Sequence, residues 1–309
     1  MKKTRLPMMI LTVWAICIAG PLSAADGPGS AGASYLLLPI GSRAISMGEA
    51  RTALGGDPFD WTINPALLQS LESDGIGAFH GEWIMEMRYD HLGGNWRVNE
   101  WFSVGAGFIY QYNEEIQGYD ASGFETELLD NYNYQGMIGL GFTPARSLTT
   151  GINLKYFGET LSEWSAGGFG VDIGARYEIA PIHAAIGVSV QNVGPDVQFI
   201  ETKEPLPMVI RGGGAWTLEL PRNDIAVTVA LDAVKPRFED LYMSAGCEVA
   251  ILDLVFARCG WCGQESRAGD GFAFGAGVKL GERVTFDYAS ALYGDLGTFH
   301  MISLHLGLR

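Results

Sequence analysis

Cys259-Gly-Trp-Cys262 has the spacing of a redox or metal-binding dithiol and is the sharpest chemical signal in the chain. Such a pair works at a strand-to-helix junction, or as half of a four-ligand metal site. Neither setting surrounds it: no strand-helix pattern follows, and no fourth ligand is evident. Only Cys247 joins the pair in the exported part of the chain, and an odd count argues against a disulfide framework. The motif therefore reads as a local bridge or as two free thiols. The five histidines, His80, His91, His183, His300 and His305, are scattered. Membrane hydrolases gather Ser, His and Asn, or paired Asp and His, at a strand rim. His300 and Ser303 come nearest to that, but three residues apart on a strand they point to opposite faces. No His, Cys or Asp set clusters as metal ligands. The residues predict a protein that is not an enzyme and uses no cofactor.

The elements that position these residues begin after a leader. Lys2, Lys3 and Arg5 precede an apolar run from Leu6 to Gly20, and Ser23-Ala24-Ala25 offers a cleavage site, the pattern of a signal peptide over residues 1–25. The 309 residues include 42 glycines, about twice the usual share. Disorder is excluded by the company they keep, 8 Trp, 12 Tyr and 15 Phe. After residue 20 no uncharged apolar run approaches the ~20 residues of a membrane helix. A net charge of −15 repels nucleic acid and otherwise reads as solvation of loops.

From residue 75 the chain alternates with period two, in segments matching a tilted membrane strand. Phe102, Val104, Ala106, Phe108, Tyr110 and Tyr112 share one face; Ser103, Gly105, Gly107, Ile109 and Gln111 share the other. Phe169, Val171, Ile173, Ala175 and Tyr177 likewise oppose Gly170, Asp172, Gly174 and Arg176. An apolar face outside and a small or charged face inside is what lipid demands of a closed sheet. The segments are 75–84, 87–97, 101–113, 133–143, 148–159, 168–180, 182–193, 207–219, 224–234, 241–250, 252–262, 270–280, 282–292 and 299–309. They predict an all-β, closed antiparallel transmembrane barrel of about 14 strands at 75–309. Trp96, Trp101, Tyr110, Tyr112, Tyr132, Tyr134, Phe142, Trp216 and Tyr242 mark strand ends, as interfacial girdles do. Short links alternate with long ones at 114–132, 160–167, 194–206, 235–240, 263–269 and 293–298. With the first strand running outward, the short turns and both barrel ends fall in the periplasm.

Residues 26–74 do not alternate. Ser46-Met-Gly-Glu49 has capping-box spacing before a short helical stretch to about Leu54. Gly55-Gly56-Asp57-Pro58 is a turn, and Asn64-Pro65 starts a second short helix. A barrel this wide has a lumen to fill, so the segment reads as a helical plug, or hatch, with a periplasmic extension as the alternative.

These residues carry a family resemblance. Gly41-Ser-Arg43-Ala-Ile-Ser-Met-Gly48-Glu-Ala50 followed by Asn64-Pro65-Ala66 resembles the N-terminal hatch of PorV/PorQ-type outer-membrane proteins, within the FadL-like barrel superfamily. Gln191-Asn-Val-Gly194, Pro205-Leu-Pro207 with Arg211-Gly-Gly, Leu231-Asp232, Ala245-Gly-Cys-Glu248, Arg258-Cys-Gly-Trp261 and Phe286-Asp-Tyr-Ala289 agree with it in order. Gly56-Asp57-Pro58 stands where the family often has paired aspartates. The resemblance implies hatch roles for Arg43, Gly48, Asp57, Asn64, Pro65 and Ala66, and a place in the bacterial outer membrane among its lipids. It also implies one of two functions. The PorV/PorQ branch implies an accessory of type IX-like protein secretion, binding secreted cargo proteins or a secretion channel, and short loops favour it. The FadL branch implies transport of a hydrophobic small molecule past the hatch.

Overall fold

The computed structural model describes residues 30–308 except 72, 84–85, 114–115, 121, 130, 200–201, 221–222 and 266–268. The leader read at 1–25 lies outside the described residues. Two barrel strands follow the plug segment, β1 (Gly75–Glu82) and β2 (Arg88–Asn99), and β3 (Phe102–Tyr112) pairs with β2. A small hairpin, β4 (Ile116–Tyr119) and β5 (Glu125–Leu129), stands outside the wall. The wall resumes with β6 (Asn131–Ala145), β7 (Leu148–Leu161), β8 (Trp164–Ile179) and β9 (Ala184–Val193). A second hairpin, β10 (Val197–Phe199) and β11 (Thr202–Glu204), interrupts it. The remaining wall strands are β12 (Val209–Leu220), β13 (Ile225–Pro236), β14 (Tyr242–Ile251), β15 (Val255–Cys262), β16 (Phe272–Leu280), β17 (Val284–Leu292) and β18 (Thr298–Gly307). Pairing of β1 with β18 closes a barrel of fourteen antiparallel strands, one for each alternating segment.

Closure leaves no unpaired strand edge toward lipid, which is the condition for crossing a bilayer with strands. Phe108, Ile138, Phe169 and Ile173 lie on the outer face and are at least half exposed, while Gln111, Asn153 and Asp172 on the inner face are buried. Among the described residues no helix is long and apolar enough to cross a membrane. Outward aromatics form a band toward one end: Tyr110 lies 5.5 Å from Tyr112 and 6.1 Å from Tyr132, and Tyr156 lies 5.1 Å from Phe169. Trp96, Trp101, Phe142 and Trp216 are exposed toward the other end.

Two expectations change, and the cysteine pair takes the second of its two readings, as free thiols. Tyr242 is not part of a girdle: it shares inward parity with Ser244 and Glu248 and packs against Val209, Val234 and Cys262. Residues 160–167 are not a long loop, because β7 and β8 continue to Leu161 and Trp164 and meet in a two-residue turn with Ser162 at φ 56°. Ser165, Ala166 and Gly167 lack large apolar side chains, which masked the strand; beyond the apolar belt the ladder needs none. Cys259 and Cys262 fall on opposite faces of β15, one exposed and one buried, so the dithiol spacing brings no two sulfurs together. His300 and Ser303 also part, His300 outward beside Tyr288 and Ser303 inward against the plug.

Candidate functional site

Residues 30–71 lie within the barrel and follow its wall around. The segment enters at the hairpin end, where the Gly32 amide donates to Pro205 O (3.2 Å) and Tyr35 Oη lies 3.0 Å from the carbonyls of Tyr134 and Gly158. Tyr89 Oη then donates to Pro39 O at 2.9 Å. A short α-helix, α1 (Ser42–Ser46), rests on β16 to β18: the Ser42 amide donates to Ser303 Oγ (2.8 Å), whose hydroxyl donates to Ser42 Oγ (2.9 Å). This helix ends where the capping-box spacing placed a beginning. Gly48 (φ 63°) and Glu49 (φ 66°) both take left-handed conformations, which no helix accommodates, so the chain turns through 47–54 instead.

The wall admits this path because its inward residues are small. A Cβ at Gly105 would stand 2.9 Å from Leu68 Cδ2, and one at Gly77 would stand 2.7 Å from the Phe59 ring. On β7, Gly151 meets the backbone of Pro65, and Gly246 and Gly260 on β14 and β15 meet the backbone of Met47 and Gly48. Glycine is the residue for such close backbone approach.

Polar clamps set the register of plug on wall. The Arg43 guanidinium grips Glu248 with two bonds of 2.8 Å, and Arg258 bridges Glu248 and Asp287 at 2.5 Å each. Asp232 Oδ2 accepts from the amides of Arg51 (3.0 Å) and Thr52 (2.9 Å) and from Thr52 Oγ1 (2.6 Å). Asn64 is wholly buried: its Oδ1 caps the 3-10 helix Pro65–Ser70 through Ala66 N (3.2 Å), while Nδ2 donates to Thr52 O (2.6 Å). Asp57 accepts from Phe59 N at 2.8 Å, and its own amide donates to Asp60 Oδ2 at 3.3 Å. Arg43, Gly48, Asp57, Asn64, Pro65 and Ala66 thus all sit in the N-terminal segment or at its seam with the wall, and among the described residues they form no catalytic set.

Above the plug, toward the hairpins, lies a chamber of about 150 Å³. Leu37, Leu38 and Pro39 of the entering strap form one side, Val209 and Pro236 another, and Trp83, Tyr242 and Tyr293 supply rings. Glu49 and Arg211 are its charged lining. Both also line an adjoining void of about 30 Å³. Trp83 turns inward from the β1–β2 link and packs on Phe299 (5.2 Å) and Tyr293 (5.0 Å). Sequence reasoning missed Trp83 and Arg211 as site residues. The signal for Arg211 was present, a cation on the inward parity of an otherwise small-residue strand; Trp83 lies in the segment read at 75–84, on the inward parity of Gly77, Phe79 and Gly81, but beyond the end of β1.

Similar solved structures share this architecture. The toluene transporter TbuX of Ralstonia pickettii superposes with a TM-score of 0.60 at 14% identity, over 87% of this chain and 98% of that one. The toluene transporter TodX of Pseudomonas putida gives 0.58 at 11%, over 91% and 96%. A Pseudomonas aeruginosa FadL homologue gives 0.54 at 7%, over 88% and 99%. The fold is that of FadL-like barrels. No protein-family model and no curated protein sequence matches the chain, so the resemblance to PorV/PorQ-type proteins rests on the motifs alone.

Asp60 makes the plug sensitive to pH. Burial, reinforced by Asp57, holds its carboxyl up to about 7 against the pull of Arg51 and Arg43. A raised pKa stabilises the fold fully below the ordinary 3.8, and that contribution is lost as pH rises through about 7. Asp60→Asn, which cannot ionise, should therefore gain melting temperature over the wild type progressively between pH 4 and pH 8. Thermal melts across that range check it, and a constant difference would refute the assignment.

Proposed function

We infer that the chain is a non-enzymatic channel of the bacterial outer membrane that admits hydrophobic molecules the size of a single ring. The observation that carries this reading is the chamber above a plug seated in the lumen. A cavity of about 150 Å³ is large enough to take up benzene, and this one sets three aromatic rings beside leucine, valine and proline, with Ser34, Glu49, Arg211 and Gln264 as its polar lining. TbuX and TodX, which share the fold, are toluene transporters. The short turns mark the periplasmic end and the hairpins the outer end, so a molecule reaches the chamber before the plug. Cleavage of the leader at residue 25 delivers the chain to that membrane. Passage then requires the Asn64-Pro65-Ala66 region to yield, and the polar seam there breaks by exchanging its partners for water.

A second reading, the secretion accessory, is favoured by one feature. The β4–β5 hairpin carries Tyr119, Phe124 and Leu128 exposed outside the wall, and exposed apolar groups of this kind suit a protein partner such as exported cargo or a secretion channel.

Proteoliposomes separate the two. Those carrying the protein should take up labelled toluene faster than empty vesicles. Asn64→Ala, which removes a cap of ~1 kcal/mol, should raise that rate. Uptake equal to that of empty vesicles, with surface proteins stranded in the periplasm of a deletion strain, would replace the channel reading by the secretion one.

A further inference from the structure

The chamber wall is not uniformly apolar, and its one cation is incompletely paired. Arg211 projects inward from β12 and is 8% exposed. Its Nε donates to Gln191 Oε1 at 3.0 Å, whereas Nη2 stands 4.0 Å from Glu49 Oε2, beyond hydrogen-bond reach. Nη1 is buried and has no hydrogen-bond partner among the described residues. A guanidinium offers five donors and accepts nothing, and a buried charged donor left unmade is costly. A plain hydrocarbon entering the chamber would keep that cost in place. A molecule with an oxygen acceptor would remove it.

The sign of the ligand's charge follows from the surroundings. Glu49 already supplies a counter-charge at 4.0 Å, and Asp232, on the neighbouring strand opposite Gly213, is buried as well. A ligand carboxylate would bring a further acid to Arg211 and Arg51, already faced by Glu49, Asp232 and Asp60, in a water-poor site where like charges repel strongly. A neutral acceptor brings no such penalty. The dimensions limit the remainder of the molecule to about one ring, packed on Trp83, Tyr242 and Tyr293.

We propose that Arg211 is a specificity-determining residue and that the chamber's preferred ligands are neutral single-ring compounds bearing an oxygen acceptor, such as aryl ketones, aldehydes or esters. This rests on the channel reading and narrows it from hydrophobic molecules to oxygenated ones. Arg211 reads the oxygen, and the aromatic wall reads the ring.

The test compares three probes on the purified full chain by calorimetry: acetophenone with an acceptor, toluene with none, and benzoate with a charge. Acetophenone should bind about tenfold more tightly than toluene, the effect of one hydrogen bond to a charged group after desolvation. Benzoate should bind no better than toluene. In Arg211→Met the acetophenone-to-toluene ratio should fall to about one, and Arg211→Lys should keep part of it. Unboiled electrophoretic mobility confirms that each variant retains its barrel. Equal binding of acetophenone and toluene by the wild type, tightest binding of benzoate, or an unchanged ratio in Arg211→Met would overturn the role of Arg211 while toluene binding leaves the channel reading standing. Failure of all three probes to bind would overturn both.

Discussion

Everything in this molecule depends on how closely one backbone can approach another. A fourteen-strand barrel encloses more space than its own side chains can fill. The chain fills it by laying its N-terminal segment against the wall, and the wall tolerates this where its inward residue has no Cβ. Gly151 under Pro65, Gly187 under Thr52, and Gly246 and Gly260 under Met47 and Gly48 trace much of that path. The abundance of glycine, which would loosen an ordinary sheet, serves here as a groove; the ladder on either side supplies the rigidity.

Close backbone approach sets distance but not register, and the buried ions supply the register. Arg43 can satisfy both oxygens of Glu248 only at one height, and Arg258 ties that carboxylate to Asp287. Removing one member of such a group leaves a buried charge at a cost of ~3–5 kcal/mol. The seam is uneven around the barrel. Around Trp61, Leu68, Leu71 and Met137 apolar contact is joined by bonds from Asn153 to Trp61 O and from Arg97 to Leu71 O, whereas Arg43, Thr52 and Asn64 hold their part of the seam by polar bonds. The chamber lies above it, with Arg211 beside Glu49.

The barrel was legible in the residues because lipid imposes a rule of period two that soluble loops do not follow. All fourteen segments emerged from that alternation, and parity also separated Cys259 from Cys262 and His300 from Ser303. The rule falls silent where the wall leaves the apolar belt, so the ends of β7 and β8 read as loop. Parity was set aside for Tyr242, whose aromatic type suggested an interface while its position faced the lumen. The Asn64 cap was readable locally, since Asn-Pro places a capping residue before the first helical position. The true end of α1 was not, because only tertiary packing against Trp261 and Ala245 explains the left-handed turn at Gly48. The chamber assembles side chains from the strap, the β1–β2 link and β12 to β14, and no spacing within the chain encodes that meeting.

The central claim is that the N-terminal segment is a plug seated in the lumen rather than an extension outside it. Ser42 Oγ lies 2.9 Å from Ser303 Oγ, close enough for a disulfide after little adjustment. A chain with Ser42→Cys and Ser303→Cys, and with Cys247, Cys259 and Cys262 replaced by alanine, would be purified from outer membranes and its free thiols titrated under mild oxidation. The account predicts loss of both thiols within one chain, with barrel mobility unchanged. Two thiols that stay reduced, or that link only between chains, would contradict it.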